Sequence, residues 1–185
     1  MDRAQVGQRM TLDQLHGEID KCLACQSVLP GISKPNRVDR GTTAARVMFI
    51  GVGPGRSAAK HGKAFAGVSF TNMRKWFQWA GYDLDEDELR SRLYLTSLIK
   101  CRVRQDTQSN RSRMWGMCRD FLSRQIGLVQ PELVVMLGKE AADGLASKLK
   151  TLSAREQAGL TATTAEMFDS EMFPLTHHGC RWLLM

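Results

Sequence analysis

Apolar and polar positions alternate along the chain in two periods. Residues 11–23 carry apolar positions at helical spacing behind Thr11, a helix-capping residue type, and are expected to form an amphipathic helix. Residues 46–51 (RVMFIG) form a short apolar run that ends in glycine, the mark of a buried strand. The pattern then repeats. Residues 73–80 are expected to be helical with Gly81 as the stop, 93–99 a strand, and 112–128 a helix. After Pro131 comes ELVVML, a buried-strand signature, then the helical KEAADGLASKL and a last short apolar segment, MFPLT. Residues 30–45 and 150–170, rich in Pro, Gly, Ser, Thr and charge, are expected to be irregular connections. Four apolar strands separated by helices imply an α/β domain, residues 1–185 as one unit, with a mostly parallel sheet covered on both faces. Ligands of such sheets bind beyond the carboxyl ends of the strands.

Composition agrees and narrows the function. The 185 residues are 43% hydrophobic, enough for one core. No apolar stretch approaches membrane-spanning length, and the charged start MDRAQVGQRM carries no apolar run, so a soluble, cytoplasmic protein is expected. The formal net charge is +7, and residues 90–119 hold eight basic residues against Asp106 alone, so this segment accounts for the whole excess. It is expected to face phosphates, through Lys100, Arg102, Arg104, Arg111 and Arg113.

Of the five cysteines, Cys22 and Cys25 form a Cys-x2-Cys pair, and Cys101 and Cys118 stand within the basic segment. In a reducing compartment four spaced cysteines point to metal ligation rather than disulfides. Cysteine-only ligation suits zinc or an iron–sulfur cluster. The sixteen residues between Cys101 and Cys118 favour a [4Fe–4S] cluster over zinc, whose ligands usually come as two tight pairs. Cys180 is left over, with a packing role.

The strand ends hold the remaining candidates. GVGPG (51–55) and GKAFAG (62–67) follow the first strand, TSLIKC closes the second, and THHGC (176–180) follows the last, so all are expected to converge on one crevice. GVGPG is neither a GxxxxGK[ST] phosphate loop nor a GxGxxG fingerprint, which argues against a nucleotide cofactor. Its glycines instead let backbone amides approach a flat base or an anion closely.

Taken in order, these motifs resemble the iron–sulfur uracil-DNA glycosylases, the family-four branch of the uracil-DNA glycosylase superfamily. That pattern has an N-terminal Cys-x2-Cys, a GEAPG turn, GRPFVG, TN-x2-KCRPP, a later cysteine, an LG-x2-A junction and a closing THHP or TYHP. This chain answers with CLAC, GVGPG, GKAFAG, TSLIKCRVR, Cys118, LGKEA and THHGC. The resemblance implies a three-layer α/β/α fold around a mostly parallel four-stranded sheet. It also implies a structural [4Fe–4S] cluster on Cys22, Cys25, Cys101 and Cys118, and a monomer acting on DNA. Such enzymes flip a base out of the helix and cleave its N-glycosidic bond. By motif position His178 donates to the departing base, where one preorganised hydrogen bond is worth about 3 kcal/mol. Phe65 becomes the stacking wall, Val52 and Gly53 line the pocket with backbone, and Ser97 meets the Watson–Crick edge.

Three positions depart from the pattern. Val52 replaces the GEAPG glutamate expected to place the attacking water, Ser97 replaces the asparagine that reads uracil, and Gly179 replaces the proline after the motif histidine. His61, at the rim of the first turn, is the nearest residue to orient water in place of the carboxylate. A related branch with an apolar residue in a GLAPG-like turn remains active. The leading expectation is therefore a glycosylase for uracil or another deaminated base, and the alternative is a catalytically silent iron–sulfur protein that binds DNA or a partner through the same fold.

Overall fold

The structure is a computed structural model, and it describes residues 10–27, 29, 32, 41–102, 108–138, 140, 141, 175–177 and 180–184. The expected helix KEAADGLASKL and the expected connections at 30–45 and 150–170 lie largely or wholly outside these residues.

Helix α1 (Leu12–Lys21) opens on a capping box, Thr11 accepting from the Gln14 amide while the Gln14 side chain accepts from the Thr11 amide. A 3₁₀ turn, Ala24–Ser27, follows. Strand β1 (Val47–Gly51) leads through the GVGPG turn into α2 (Arg56–His61) and α3 (Val68–Trp79). Helix α4 (Glu86–Arg92) is short and charged, opened by a second capping box between Asp85 and Glu88. Strand β2 (Leu93–Ser97), α5 (Gln108–Val129), β3 (Leu133–Met136), β4 (Leu175–His177) and β5 (Cys180–Leu184) complete the order.

The sheet runs β2-β1-β3-β5-β4. β2, β1, β3 and β5 are parallel, and β4 runs antiparallel to β5. The mostly parallel sheet is as expected, and among the described residues it has five strands rather than four. The terminal segment is not the single apolar segment MFPLT but a short antiparallel β4 followed by β5, which inserts between β3 and β4.

Two apolar layers flank the sheet. Met48, Ile50, Tyr94, Val134 and Met136 pack with Leu12, Met114, Leu122 and Ile126 on the α1 and α5 side. Phe49, Leu95 and Val135 pack with Ala58, Phe70, Met73 and Leu89 on the α2, α3 and α4 side. Successive strand residues point to opposite faces, so both faces must be apolar, and the three-layer architecture follows. No helix among the described residues is long and apolar enough to cross a membrane.

Candidate active site

The parallel register sets Gly51 beside Ser97 at the carboxyl ends of β1 and β2. The chain leaves the sheet there without losing its hydrogen bonds, since Leu98 donates to the Gly51 carbonyl at 2.9 Å and Ile99 to the Val52 carbonyl at 3.0 Å. Beyond these ends opens a cavity of about 560 Å³. Gly51, Val52, Gly53, Phe65, Thr96 and Ser97 line it. A pocket of this size holds a small organic ligand.

Phe65 holds a left-handed backbone, φ +54°, rare for a bulky residue and tolerated where surrounding structure over-determines it. One constraint is Arg90, whose guanidinium donates to the Ala64 carbonyl at 2.8 Å and to Glu86 at 2.8 Å, and stacks 3.8 Å from the Phe70 ring centroid. Another is Gly51, whose missing side chain admits the Phe65 ring. Gly53 similarly makes room for Ile99. Ser97 is buried, and its hydroxyl donates to the Ile99 carbonyl at 2.7 Å, which leaves the oxygen as an acceptor.

The four expected metal-binding cysteines are free thiols. Cys22 caps α1, Cys25 sits in the 3₁₀ turn, Cys101 follows β2 and Cys118 lies within α5. The Cys25 thiol is pushed up to about 11, first by its hydrogen bond with Cys101, with burial and the neighbouring Cys101 and Cys22 adding, while a hydrogen bond from Cys118 opposes. Cys118 is pushed far up by its hydrogen bond to Cys25 and by burial, with the Lys100 backbone amide and charge acting the other way. Among the described residues no three His, Cys, Asp or Glu side chains are set to hold a metal ion; Cys25 meets Cys101 and Cys118 as hydrogen-bonded neighbours, with Cys22 close by. The donor set nonetheless fits a thiophilic metal centre: all sulfur, largely buried, with a backbone N–H aimed at one sulfur.

Several expectations are corrected. Lys100 does not face phosphates: it is 2% exposed, its ammonium bound within 2.7 Å of Thr96 Oγ1, the Ser97 carbonyl and Gln125 Oε1. Arg111 is engaged by Glu140 at 2.8 Å. Arg113 is exposed and Arg102 half-buried, so these two remain available to DNA, and Arg104 lies outside the described residues. The charge count overlooked that internal acceptors take up several of these cations. His61 is exposed on the last turn of α2, whereas Arg56, Ser57 and Ala58 of the first turn line the cavity, so the structure does not bring His61 to the wall.

His178 lies outside the described residues. Its neighbours His177 and Cys180 pair one step before Arg181, which sits opposite Leu133 at the amino end of β3. That is about five residues below Gly51 and Ser97, roughly 17 Å at ~3.3 Å per residue. The described strands therefore do not place Thr176, His177 and Cys180 in the crevice as expected.

Sequence reasoning missed Asn72 and Trp76 on α3 and Arg56 on α2, all on the cavity wall. The i, i+4 spacing of Asn72 and Trp76 was legible, but the expected helix began only at Met73 and so left Asn72 out.

The family described as Uracil DNA glycosylase superfamily matches residues 38–179. The chain is 25% identical over 148 residues to a type-4 uracil-DNA glycosylase of Sulfurisphaera tokodaii, covering 75% of this chain and 60% of that protein. Against the protein of the same description from Saccharolobus solfataricus it is 26% identical over 144 residues, with 75% and 60% covered. Against that of Thermotoga maritima it is 27% identical over 124 residues, with 66% and 59% covered. The chain thus spans about 60% of the length of these relatives.

Proposed function

The chain belongs to the uracil DNA glycosylase superfamily, and from that premise we propose that it excises uracil from DNA by hydrolysing the N-glycosidic bond. The observation that carries this is the cavity at the ends of β1 and β2, with the Phe65 ring seated on Gly51 as one wall and the Ser97 oxygen offered as an acceptor. A uracil flipped into it stacks on Phe65 and presents its imide N–H to Ser97. Cytosine has a bare ring nitrogen at the same place and leaves two acceptors facing each other, which costs affinity.

Bond cleavage leaves negative charge on the base and positive character on the sugar. The backbone amides of the Val52–Gly53 turn approach the base without side-chain bulk and suit the oxygens where that charge collects. By motif position His178 supplies a further donor, and the family match includes its segment, ending at residue 179. This role requires the terminal hairpin to reach the cavity when DNA is bound, away from the edge where β4 and β5 hold His177 and Cys180.

Cys22, Cys25, Cys101 and Cys118 would hold a [4Fe–4S] cluster, which when bound ties the N-terminal segment to β2 and α5. The chemistry of excision falls to the cavity residues. The test is to incubate purified protein with oligonucleotides containing uracil, hypoxanthine or xanthine and then cleave abasic sites with alkali. Strand scission at uracil is expected, and binding without scission of any of them overturns the reading.

A further inference from the structure

We propose that the buried ammonium of Lys100 stabilises the negative charge growing on the departing base, acting from behind the cavity wall through Thr96 and Ser97; this rests on the glycosylase reading above. The ammonium has three hydrogens, and the structure gives it three oxygen acceptors, Thr96 Oγ1, the Ser97 carbonyl and Gln125 Oε1, each at 2.7 Å. Thr96 and Ser97 both line the cavity. Gln125 is fully buried on α5 and fixed from the far side, its amide donating to the Tyr94 hydroxyl at 2.9 Å while its Oε1 also accepts from Thr96 at 3.1 Å. Tyr94 in turn meets His16 Nε2 at 2.8 Å. The cation is thus locked on the α5 side of β2, behind the wall to which Thr96 and Ser97 contribute.

A charge held in a dry interior is felt more strongly than in water, and a fixed one costs no reorganisation when the bond breaks. The bound base is neutral before cleavage and anionic as it leaves, so the ammonium favours the transition state over the bound substrate. A cation there also suits a chain with Val52 where the GEAPG motif that its turn resembles has a glutamate. Without that carboxylate the cavity wall holds one anion fewer to oppose the departing base.

The test compares single-turnover release of uracil and of 5-fluorouracil, whose anion is intrinsically more stable, by wild type, Lys100→Met, Lys100→Arg and Gln125→Glu. Lys100→Met should slow uracil release by roughly ten- to a hundredfold and 5-fluorouracil release by much less, because a better leaving group depends less on outside charge. Lys100→Arg should retain most of the wild-type rate and ratio. Gln125→Glu neutralises the ammonium without emptying its site, so it should reproduce the Lys100→Met pattern even if Lys100→Met does not fold. A purely structural Lys100 predicts the reverse, since Gln125→Glu would strengthen the tie and leave excision unchanged. Equal slowing of both bases, or a wild-type rate in Gln125→Glu, overturns the proposal. Wild type that releases neither base instead overturns the glycosylase reading, and this proposal with it.

Discussion

The ring of Phe65 lies against the bare backbone of Gly51: a Cβ built on Gly51 comes within 3.1 Å of ring Cε1 and 3.2 Å of Cζ. Gly51 has no need of positive φ, so its value lies in this approach alone. Gly51→Ala should fold, since no positive φ has to be held, but should shift the ring by a few tenths of an ångström. Misplacing a positioning group by about 1 Å can cost a hundredfold, so a loss of roughly tenfold in excision is expected with little change in melting temperature. Unchanged single-turnover rates would remove Phe65 from the site.

The thiol contacts predict the ligand set. Replacing Cys25, Cys101 or Cys118 with Ala should abolish bound iron and the brown colour and lower thermal stability, because each comes from a different element that the centre would join. Cys180 opens β5 in register with His177, two strands away from β1, and Cys180→Ala should keep its iron. Iron and sulfide per chain, with the visible spectrum, read this directly. Iron lost from Cys180→Ala but kept in Cys118→Ala contradicts the assignment.

Exposure divides the basic segment. DNA affinity should fall with salt at a log–log slope of about 0.9 per phosphate neutralised. Arg113→Ala and Arg102→Ala should each reduce that slope by roughly one, as expected of contacts that position the duplex without reading it. Lys100→Met should leave the slope alone, because its ammonium is buried. A slope that drops with Lys100→Met and not with Arg113→Ala would return Lys100 to the DNA surface.

For the terminal histidines the comparison is between rate and binding. His178→Ala should slow cleavage by roughly a hundred- to a thousandfold while weakening DNA binding little, the mark of a group used only in the transition state. His177→Ala should matter much less, because the motif places the donor at residue 178. Normal rates in His178→Ala would agree with the register of β4 and β5 and pass the donor role to the Val52–Gly53 backbone.

Much of this architecture was legible because it is local. Thr11 announces α1, RVMFIG and ELVVML announce β1 and β3, and the glycine turns mark the strand ends where the cavity opens. Helix α4 was missed because EDELRSR buries only Leu89, too few apolar positions to show a period. Strand β5 was missed because CRWLL falls within one residue of the chain end, where a short apolar run carries no turn signal after it. The fate of Lys100 could not be read at all. Its partners Thr96 and Ser97 are near in sequence, but Gln125 arrives from α5, and only the packed fold shows that one glutamine removes a lysine from the surface. Phe65, Val52, Gly53 and Ser97 were placed through the family resemblance, whereas Asn72 and Trp76 needed the cavity to be seen.

The most direct test is chromatographic detection of the free base under single-turnover conditions, with wild-type protein in excess over an oligonucleotide carrying one uracil. The account predicts stoichiometric release of uracil, leaving an abasic site, and no release of cytosine from the matched control. Stable binding of the uracil strand with no free base released would contradict it.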